Sequence, residues 1–299
     1  CWDLLPFSYK GYSTLLGVSS INIFSLDEKM NPKVILDCRP WRVYQSKYDS
    51  ARVFIGLENG VTSLYRENNQ WTKEETISEV KESIHSIAED DDGNLWLGHN
   101  SGAIKISFSK GSTGSRKLLD KSTYLVTKYD TTNGLPARTI EIENVNGKMF
   151  FGTINGIYIQ DNGKFVEESS LPNNFRVDNR QIHRLSHEKN SNKIWMETHL
   201  SDKYKFEFGY LKKESNDSYT WNLTPFLPYS EEIIHSIFHD EDGITWFGGS
   251  EGLYRYDAAA DLQDNRHFNA IIRKVTAGRD SIIFNGTFFN EVSISSVLQ

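Results

Sequence analysis

The sequence predicts an all-β protein assembled from repeated four-stranded sheets, and three observations predict it. A phrase occurs twice. Ile84-His85-Ser86-Ile87, an acidic turn Asp90-Asp91-Asp92-Gly93, then Trp96-Leu97-Gly98 and Gly102 return as Ile234-His235-Ser236-Ile237, Asp240-Glu241-Asp242-Gly243, Trp246-Phe247-Gly248 and Gly252. Two copies this alike are one supersecondary unit used repeatedly. An aromatic residue two places before a glycine recurs at Phe54, Trp96, Phe150 and Trp246, and a second glycine follows the first by four residues, at Gly60, Gly102, Gly156 and Gly252. Finally, 38% hydrophobic residues with 13% aromatics and 21 glycines suit short strands and tight turns, where a helical bundle asks for more Ala and Leu.

Within one copy, each element follows from residue type and order. Ile84 to Ala88 is the first strand, and Asp90 to Asn94 a polar, glycine-containing turn of hairpin type. Leu95 to Leu97 is apolar throughout, as a strand covered on both faces must be. Gly98 to Gly102 turns again and Ala103 to Phe108 is the third strand; a more variable outer strand follows, as at Trp71 to Glu75 or Lys164 to Glu168. Helical periodicity is weak everywhere, with Glu75 to Ser83 the one stretch suited to a turn or two of helix. A degraded copy carries Trp195-Met196-Glu197, its second glycine delayed to Gly209, and a fainter one reads Leu15-Leu16-Gly17 with Ile21-Asn22-Ile23-Phe24. From Phe54 to Trp246 the anchors lie 42, 54, 45 and 51 residues apart, the length of a four-stranded sheet with its turns. Such units predict a β-propeller, whose blades protect their edges by packing radially. Six units are visible, ending near Tyr256-Asp257, and six or seven blades close a ring of this kind. The repeated Trp or Phe belongs between neighbouring blades, where its ring buries about 150–250 Å².

Composition excludes several classes. The net charge is −7 with no basic stripe, so nucleic acid is not an expected partner. No apolar run approaches the roughly 18 residues of a membrane-spanning helix. The chain opens at Cys1 without Met or leader and reads as an excised fragment, so a membrane is expected only through segments outside it. Cys1 and Cys38, the two cysteines, make neither a disulfide framework nor a metal site, which leaves a single bridge open. There is no Gly-x-Ser-x-Gly elbow, no His-Glu-x-x-His and no phosphate-cradling loop, so no cofactor and no catalytic set is expected.

The run from Ile84 to Gly98 resembles the two-component regulator propeller repeat, as does Asn133-Gly134-Leu135-Pro136 followed by Phe150-Phe151-Gly152-Thr153-Ile154-Asn155-Gly156-Ile157. The segment Phe268-Asn269-Ala270-Ile271-Ile272-Arg273-Lys274-Val275, with Asp280-Ser281-Ile282-Ile283-Phe284, is similar to the start of an Ig-like three-tyrosine module. The resemblance covers most of residues 40–290; it is strong at 84–106 and 234–257 and weak at 1–38 and 182–211. It implies a propeller sensor domain over residues 1–267 and linker strands over 268–299. It further implies the periplasmic or extracellular part of a membrane receptor of hybrid histidine kinase type, in which ligands are often carbohydrates or their breakdown products. Family members usually carry two seven-bladed propellers, so the chain resembles the second plus a linker. Another output, such as a nucleotide cyclase, fits equally well.

The acidic turns bunch their carboxylates into four positions and run straight into a strand, whereas an EF-hand loop spreads its ligands over about twelve residues and closes with Glu. They read as hairpin turns, and no metal is expected. His85, His183 and His235 each follow the Ile that opens an inner strand, a place suited to lining the ring entrance. Departures from the repeat point further. By the four-residue rule a glycine belongs at 201 but arrives at Gly209, so residues Thr198 to Phe206 are expected to enlarge the connection between second and third strands. That connection shares an end of the propeller with the blade-to-blade loops, and loops on a rigid scaffold carry function. The neighbouring loops Leu57-Glu58-Asn59, His99-Asn100-Ser101, Thr153-Ile154-Asn155 and Gly249-Ser250-Glu251 offer amides, hydroxyls and carboxylates. Trp41, Arg42, Tyr44 and Arg138 lie near inner-strand starts and add stacking and charge. The candidate ligand-binding residues are His85, Arg138, His183, His199, Tyr204, His235 and Glu251.

The expected function is sensing of a small polar ligand, an oligosaccharide among the candidates, by a catalytically silent domain that acts on a second protomer of a receptor dimer. Two other classes fit a propeller: a glycan lyase or hydrolase, which predicts ionisable groups converging at the channel mouth, and a protein-interaction scaffold, which predicts a broad apolar face.

Overall fold

Each copy of the repeat folds as one antiparallel sheet, or blade, in which consecutive strands are hydrogen-bonded neighbours. The structure is a computed structural model and describes residues 3–109, 124–176, 180–189, 191–203, 205–223, 226, 233–240, 242–261, 274–277 and 281–285. Blade one comprises β1 (Asp3–Tyr9), β2 (Tyr12–Val18), β3 (Asn22–Leu26) and β4 (Pro32–Asp37). Blade two comprises β5 (Pro40–Gln45), β6 (Arg52–Leu57), β7 (Gly60–Glu67) and β8 (Gln70–Lys73). Blade three comprises β9 (Ile84–Glu89), β10 (Leu95–His99), β11 (Gly102–Phe108) and β12 (Tyr124–Tyr129), and blade four β13 (Glu141–Val145), β14 (Lys148–Thr153), β15 (Gly156–Asp161) and β16 (Lys164–Glu167). Blade five comprises β17 (Arg180–His187), β18 (Lys193–Leu200), β19 (Lys205–Lys213) and β20 (Tyr219–Asn222). Blade six shows three strands among the described residues, β21 (Ile234–His239), β22 (Ile244–Gly249) and β23 (Leu253–Asp257). The fold is an all-β, six-bladed propeller. The chain divides into two compact units, Cys1–Tyr256 and Asp257–Gln299; in the second, β24 (Lys274–Ala277) pairs with β25 (Ser281–Asn285). Residues 268–273 of the expected Ig-like start, and Cys1, lie outside the described residues, while Cys38 is a free, half-buried thiol.

Period-two alternation explains why the second strands are apolar on both faces. Leu95 and Leu97 pack into a cluster with Phe54 and Val61 of blade two, while Trp96 between them joins Ile142 and Phe151 of blade four. The anchors Phe54, Trp96, Phe150 and Trp195 are all buried at blade contacts. A tryptophan anchor comes with an acidic turn because its indole N–H needs a buried acceptor. Trp96 Nε1 donates to Asp90 Oδ2 at 2.9 Å, Trp195 Nε1 to Glu188 Oε2 at 2.9 Å and Trp246 Nε1 to Asp240 Oδ2 at 3.0 Å. Asp90 Oδ1 meanwhile accepts the backbone N–H groups of Asp92 and Asn94, closing the hairpin. Blade four, anchored by Phe150, turns through Asn146 and Gly147 at φ 51° and 87° with no carboxylate.

The repeat's first glycine serves close approach: a Cβ on Gly98 would stand 2.0 Å from the Ile140 carbonyl oxygen of the next blade. Its second serves the turn at Gly60 and Gly156, with φ 114° and 100°, whereas at Gly102 it too serves close approach, a Cβ there standing 2.1 Å from the Tyr129 carbonyl oxygen.

Three expectations are corrected. Residues 75–83 form no helix, because Ile77 N–H donates to the Val61 carbonyl and Ile77 and Val80 are drawn into the cluster between blades two and three. In blade one the anchor is Leu16, not Leu15: Leu16 packs against Val43 and Val53 of blade two, and Val18 rather than Gly17 takes the glycine's place. A one-residue slip exchanges the two faces of a strand, so faint copies are easily misaligned. In blade five, Gly209 is not a delayed turn glycine but lies mid-strand opposite Met196. The extra residues lengthen the hairpin itself, with Leu200 paired to Lys205, and only residues 201–204 connect the strands.

Candidate ligand site at the loop end of the channel

The innermost strands β1, β5, β9, β13, β17 and β21 pack in sequence, each on the next. In each, the residue paired across from the repeat's first glycine position turns to the axis. These residues are Asp3 opposite Val18, Arg42 opposite Gly56, Ser86 opposite Gly98, Glu141 opposite Gly152, Arg184 opposite Glu197 and Ser236 opposite Gly248. Arg42 of blade two reaches three other blades: Asp3 Oδ1 at 3.6 Å, the His85 carbonyl at 3.1 Å and Glu141 Oε2 at 3.6 Å. Arg184 of blade five reaches the His235 carbonyl at 3.0 Å and Glu141 Oε1 at 3.4 Å. Glu141 thus joins two guanidiniums across the axis.

The carbonyls are available for a local reason. Ladder pairing is interrupted at Trp41, His85, His183 and His235, one bulge at the start of each of four inner strands. A bulged residue is left out of the ladder, and the arginine of the preceding blade occupies the carbonyls of His85 and His235. Asp3 and Arg184 were not singled out in the sequence, where Glu141, with Glu143 across Ile142, reads only as sharing one strand face; the signal was there, a charged residue opposite the repeat's glycine position, but only in the correct register.

Burial sets the electrostatics. Removal from water lowers the Arg42 pKa, but Asp3 and Glu141 more than offset this and hold it charged. Burial pushes Glu141 up against the pull of both arginines. One turn of the pleat inward, burial pushes Glu143 up to about 7.

His85 is half-buried with its ring 5.2 Å from that of Trp41, its Nε2 without a hydrogen-bond partner among the described residues and its pKa lowered by burial and then by Arg42. His183 lies 5.9 Å from His199, both against Phe206 at 6.0 and 4.7 Å. The His183 Nε2 likewise has no hydrogen-bond partner among the described residues, and burial, with His199 and Arg184, pushes its pKa down to about 4. The structure therefore forms two ring clusters, Trp41 with His85 across blades two and three, and His183, His199 and Phe206 within blade five. His235 is exposed; Glu251 is exposed between β22 and β23; Arg138 is exposed before β13 at φ 110°. Tyr204 lies outside the described residues. No group of three metal-ligating side chains occurs among the described residues.

Glu197 occupies the position held by glycine in blades two, three, four and six. Its carboxylate accepts the Ile234 N–H of blade six at 2.7 Å, and burial pushes its pKa up to about 7.

Residues 78–101 match the family model of the two component regulator propeller. The copy of the repeat in blade three is thus a two component regulator propeller repeat. Among solved structures, the chain is similar to the extracellular domain of BT4673 from B. thetaiotaomicron, assigned to a hybrid two-component system, with a TM-score of 0.64 and 21% identity over 95% of this chain and 35% of that one. It thus spans about a third of that domain's length. It is also similar to virginiamycin B lyase from Staphylococcus aureus, with a TM-score of 0.56 and 12% identity over 86% of this chain and 80% of the lyase. A third similar structure is PorZ, a surface component of the type-IX secretion system of Porphyromonas gingivalis, with a TM-score of 0.53 and 11% identity over 85% and 40% of the two chains. These likenesses bear on the fold. A comparison with curated proteins found no match. No helix among the described residues is long and apolar enough to cross a membrane.

Proposed function

We propose that the chain is the ligand-sensing propeller of an extracytoplasmic two-component receptor, binding a small polar ligand at the loop end of its channel and performing no chemistry itself. The observation that carries this reading is the regulator propeller repeat at residues 78–101. The site supports it: the partly exposed rings of Trp41 and His85, and of His183, His199 and Phe206, offer stacking of the kind a sugar uses. Periplasmic or extracellular placement, attachment to a membrane through other segments, and signalling through a second protomer belong to the same reading. A ligand shifts the receptor only by its differential affinity for the two signalling states.

A second reading, an enzyme acting on glycans, is favoured by one observation: ionisable groups do converge in the channel, Glu143 with a pKa near 7 among them. A thermal-shift screen against oligosaccharides separates the two. A ligand at about 100 times its Kd adds about 2.7 kcal/mol of stability. The sensor reading expects a raised melting temperature that is lost in His183→Ala, with the sugar recovered intact. Consumption of the sugar would replace it with the enzyme, and no shift across a broad glycan set would remove the carbohydrate ligand.

A further inference from the structure

The hairpin of blade five projects beyond the sheets around it. In blades two, three, four and six the second strand ends one residue after the glycine position, at Leu57, His99, Thr153 and Gly249. In blade five it runs three residues past Glu197, to Leu200. The extra pairs, His199 with Phe206 and Leu200 with Lys205, carry the sheet further by about 7 Å at the usual rise of a strand. Side chains alternate along a strand, so His199 lies on the same face as Glu197, the face that bonds Ile234 N–H of blade six. Residues paired across a ladder share a face. Phe206 and Gln181, both paired with His199, and Arg184, paired with Glu197, therefore lie there too. Blade six's second strand stops at Gly249, so it does not reach the extra pairs. Gln181, His199 and Phe206 are half-buried, where the same face within the blade, at Trp195, Glu197 and Phe208, is buried.

This face combines a flat apolar surface with free hydrogen-bond donors. The His199 and Phe206 rings lie 4.7 Å apart at 31°, and the His183 ring meets both edge-on at 5.9 and 6.0 Å. Beside them, the Gln181 amide has no hydrogen-bond partner among the described residues. Arg184 donates from Nε to the His235 carbonyl and from Nη1 to the His183 carbonyl and Glu141, which leaves Nη2 without a partner among the described residues. The charges, by contrast, are already matched. Arg184 faces Glu141 at 3.4 Å, with Glu197 opposite it in the ladder, and Arg42 is held between Asp3 and Glu141 at 3.6 Å each. An acidic group placed here would meet the carboxylates of Glu141 and Glu197, and a basic one would meet Arg184; like charges brought together oppose binding. An uncharged ring bearing hydroxyls gains stacking and hydrogen bonds and disturbs no ion pair.

We infer, resting on the sensing function proposed above, that the projecting face of blade five is a subsite for an uncharged pyranose. The sugar ring stacks on Phe206 and His199, and its hydroxyls accept from the Gln181 amide and from Arg184 Nη2. Selectivity then runs against uronic acid and sulfated saccharides, and it is set by the residues that lengthen this one hairpin.

The test screens the 299-residue chain by saturation-transfer NMR against methyl glycosides of glucose, galactose and mannose and oligosaccharides built from them, beside their uronic acid and sulfated counterparts. Uncharged saccharides should bind, and their acidic counterparts should bind more weakly by about tenfold or more. Phe206→Leu, which keeps an apolar side chain but no ring face, should weaken binding about tenfold, and Gln181→Ala about fivefold. Both variants should melt like the parent when no sugar is present. An uncharged saccharide held equally well by both variants would overturn the subsite and leave the sensing function standing. Preference for an acidic saccharide would overturn the charge selectivity, again without touching that function. Silence across the whole set would remove the subsite together with the carbohydrate ligand.

Discussion

Replacing Trp96 by Phe tests whether the acidic turn is a structural partner of the anchor. The indole Nε1 donates to Asp90 Oδ2 at 2.9 Å, and both residues are buried. A hydrogen bond to a buried charged group contributes about 1.5–3 kcal/mol. Trp96→Phe alone also loses ring area, and Asp90→Ala alone also frees the N–H groups of Asp92 and Asn94. A double-mutant cycle cancels both side effects and leaves the pairwise coupling. Urea unfolding of the two single variants and the double variant should return a coupling near 2 kcal/mol. The same cycle on Trp246→Phe and Asp240→Ala should return a clearly smaller value, since the 3.0 Å bond there joins a half-buried indole to a half-buried carboxylate, where both partners in blade three are buried. Acid should erase the coupling at Asp90. Burial alone would raise that carboxyl, but hydrogen bonds from Asn94 and Trp96 outweigh it and hold the folded pKa below the ordinary value. The contribution is therefore complete above the unfolded carboxyl value of about 3.9 and is lost as pH falls through the folded one. A coupling of zero at Trp96, or an equal coupling in both blades, would refute the reasoning.

Gly98→Ala should cost about 3 kcal/mol in urea unfolding, because its Cβ would fall 2.0 Å from a backbone oxygen that cannot move without parting two blades. Gly163→Ala, at φ 79° with open space around it, should cost only about 1 kcal/mol; a larger loss at Gly163 would sink the close-approach argument. Glu197→Gln should stabilise the protein at neutral and higher pH. Burial holds the folded carboxyl near 7, above its unfolded value, so the folded state keeps its proton longer and stability falls as pH rises through that window. Gln retains an acceptor for Ile234 N–H and escapes this loss, gaining up to about 3 kcal/mol at pH 8 and little at pH 4. An equal gain at both pH values would contradict the pKa argument. His183→Ala should leave the fold intact and abolish any thermal shift produced by a bound sugar, read by melting with and without ligand.

The repeat, its six copies, the strand order within each and the burial of Phe54, Trp96 and Phe150 between blades were legible in the residues alone, while Trp246, read the same way, is half-buried. These are local properties: a hairpin turn, a period of two, and an aromatic that one sheet cannot bury alone. The tertiary structure decided the rest. Asp3, Arg42, Glu141 and Arg184 meet on the axis only because radial packing brings together inner strands far apart in the chain, and nothing in their local neighbourhoods marks them as partners. His85, His183 and His235 look equivalent in sequence, yet two are half-buried beside aromatic rings and the third is exposed, because those rings come from outside the repeated phrase, Trp41 of blade two for His85 and Phe206 of the lengthened hairpin for His183. The alignment of the first blade on Leu16, and the lengthened hairpin that leaves only residues 201–204 as a loop, were settled by pairing. Register is fixed by what each face must bury, and a shift of one residue reverses the faces, so weak local signals leave it open until the neighbouring blade is in place.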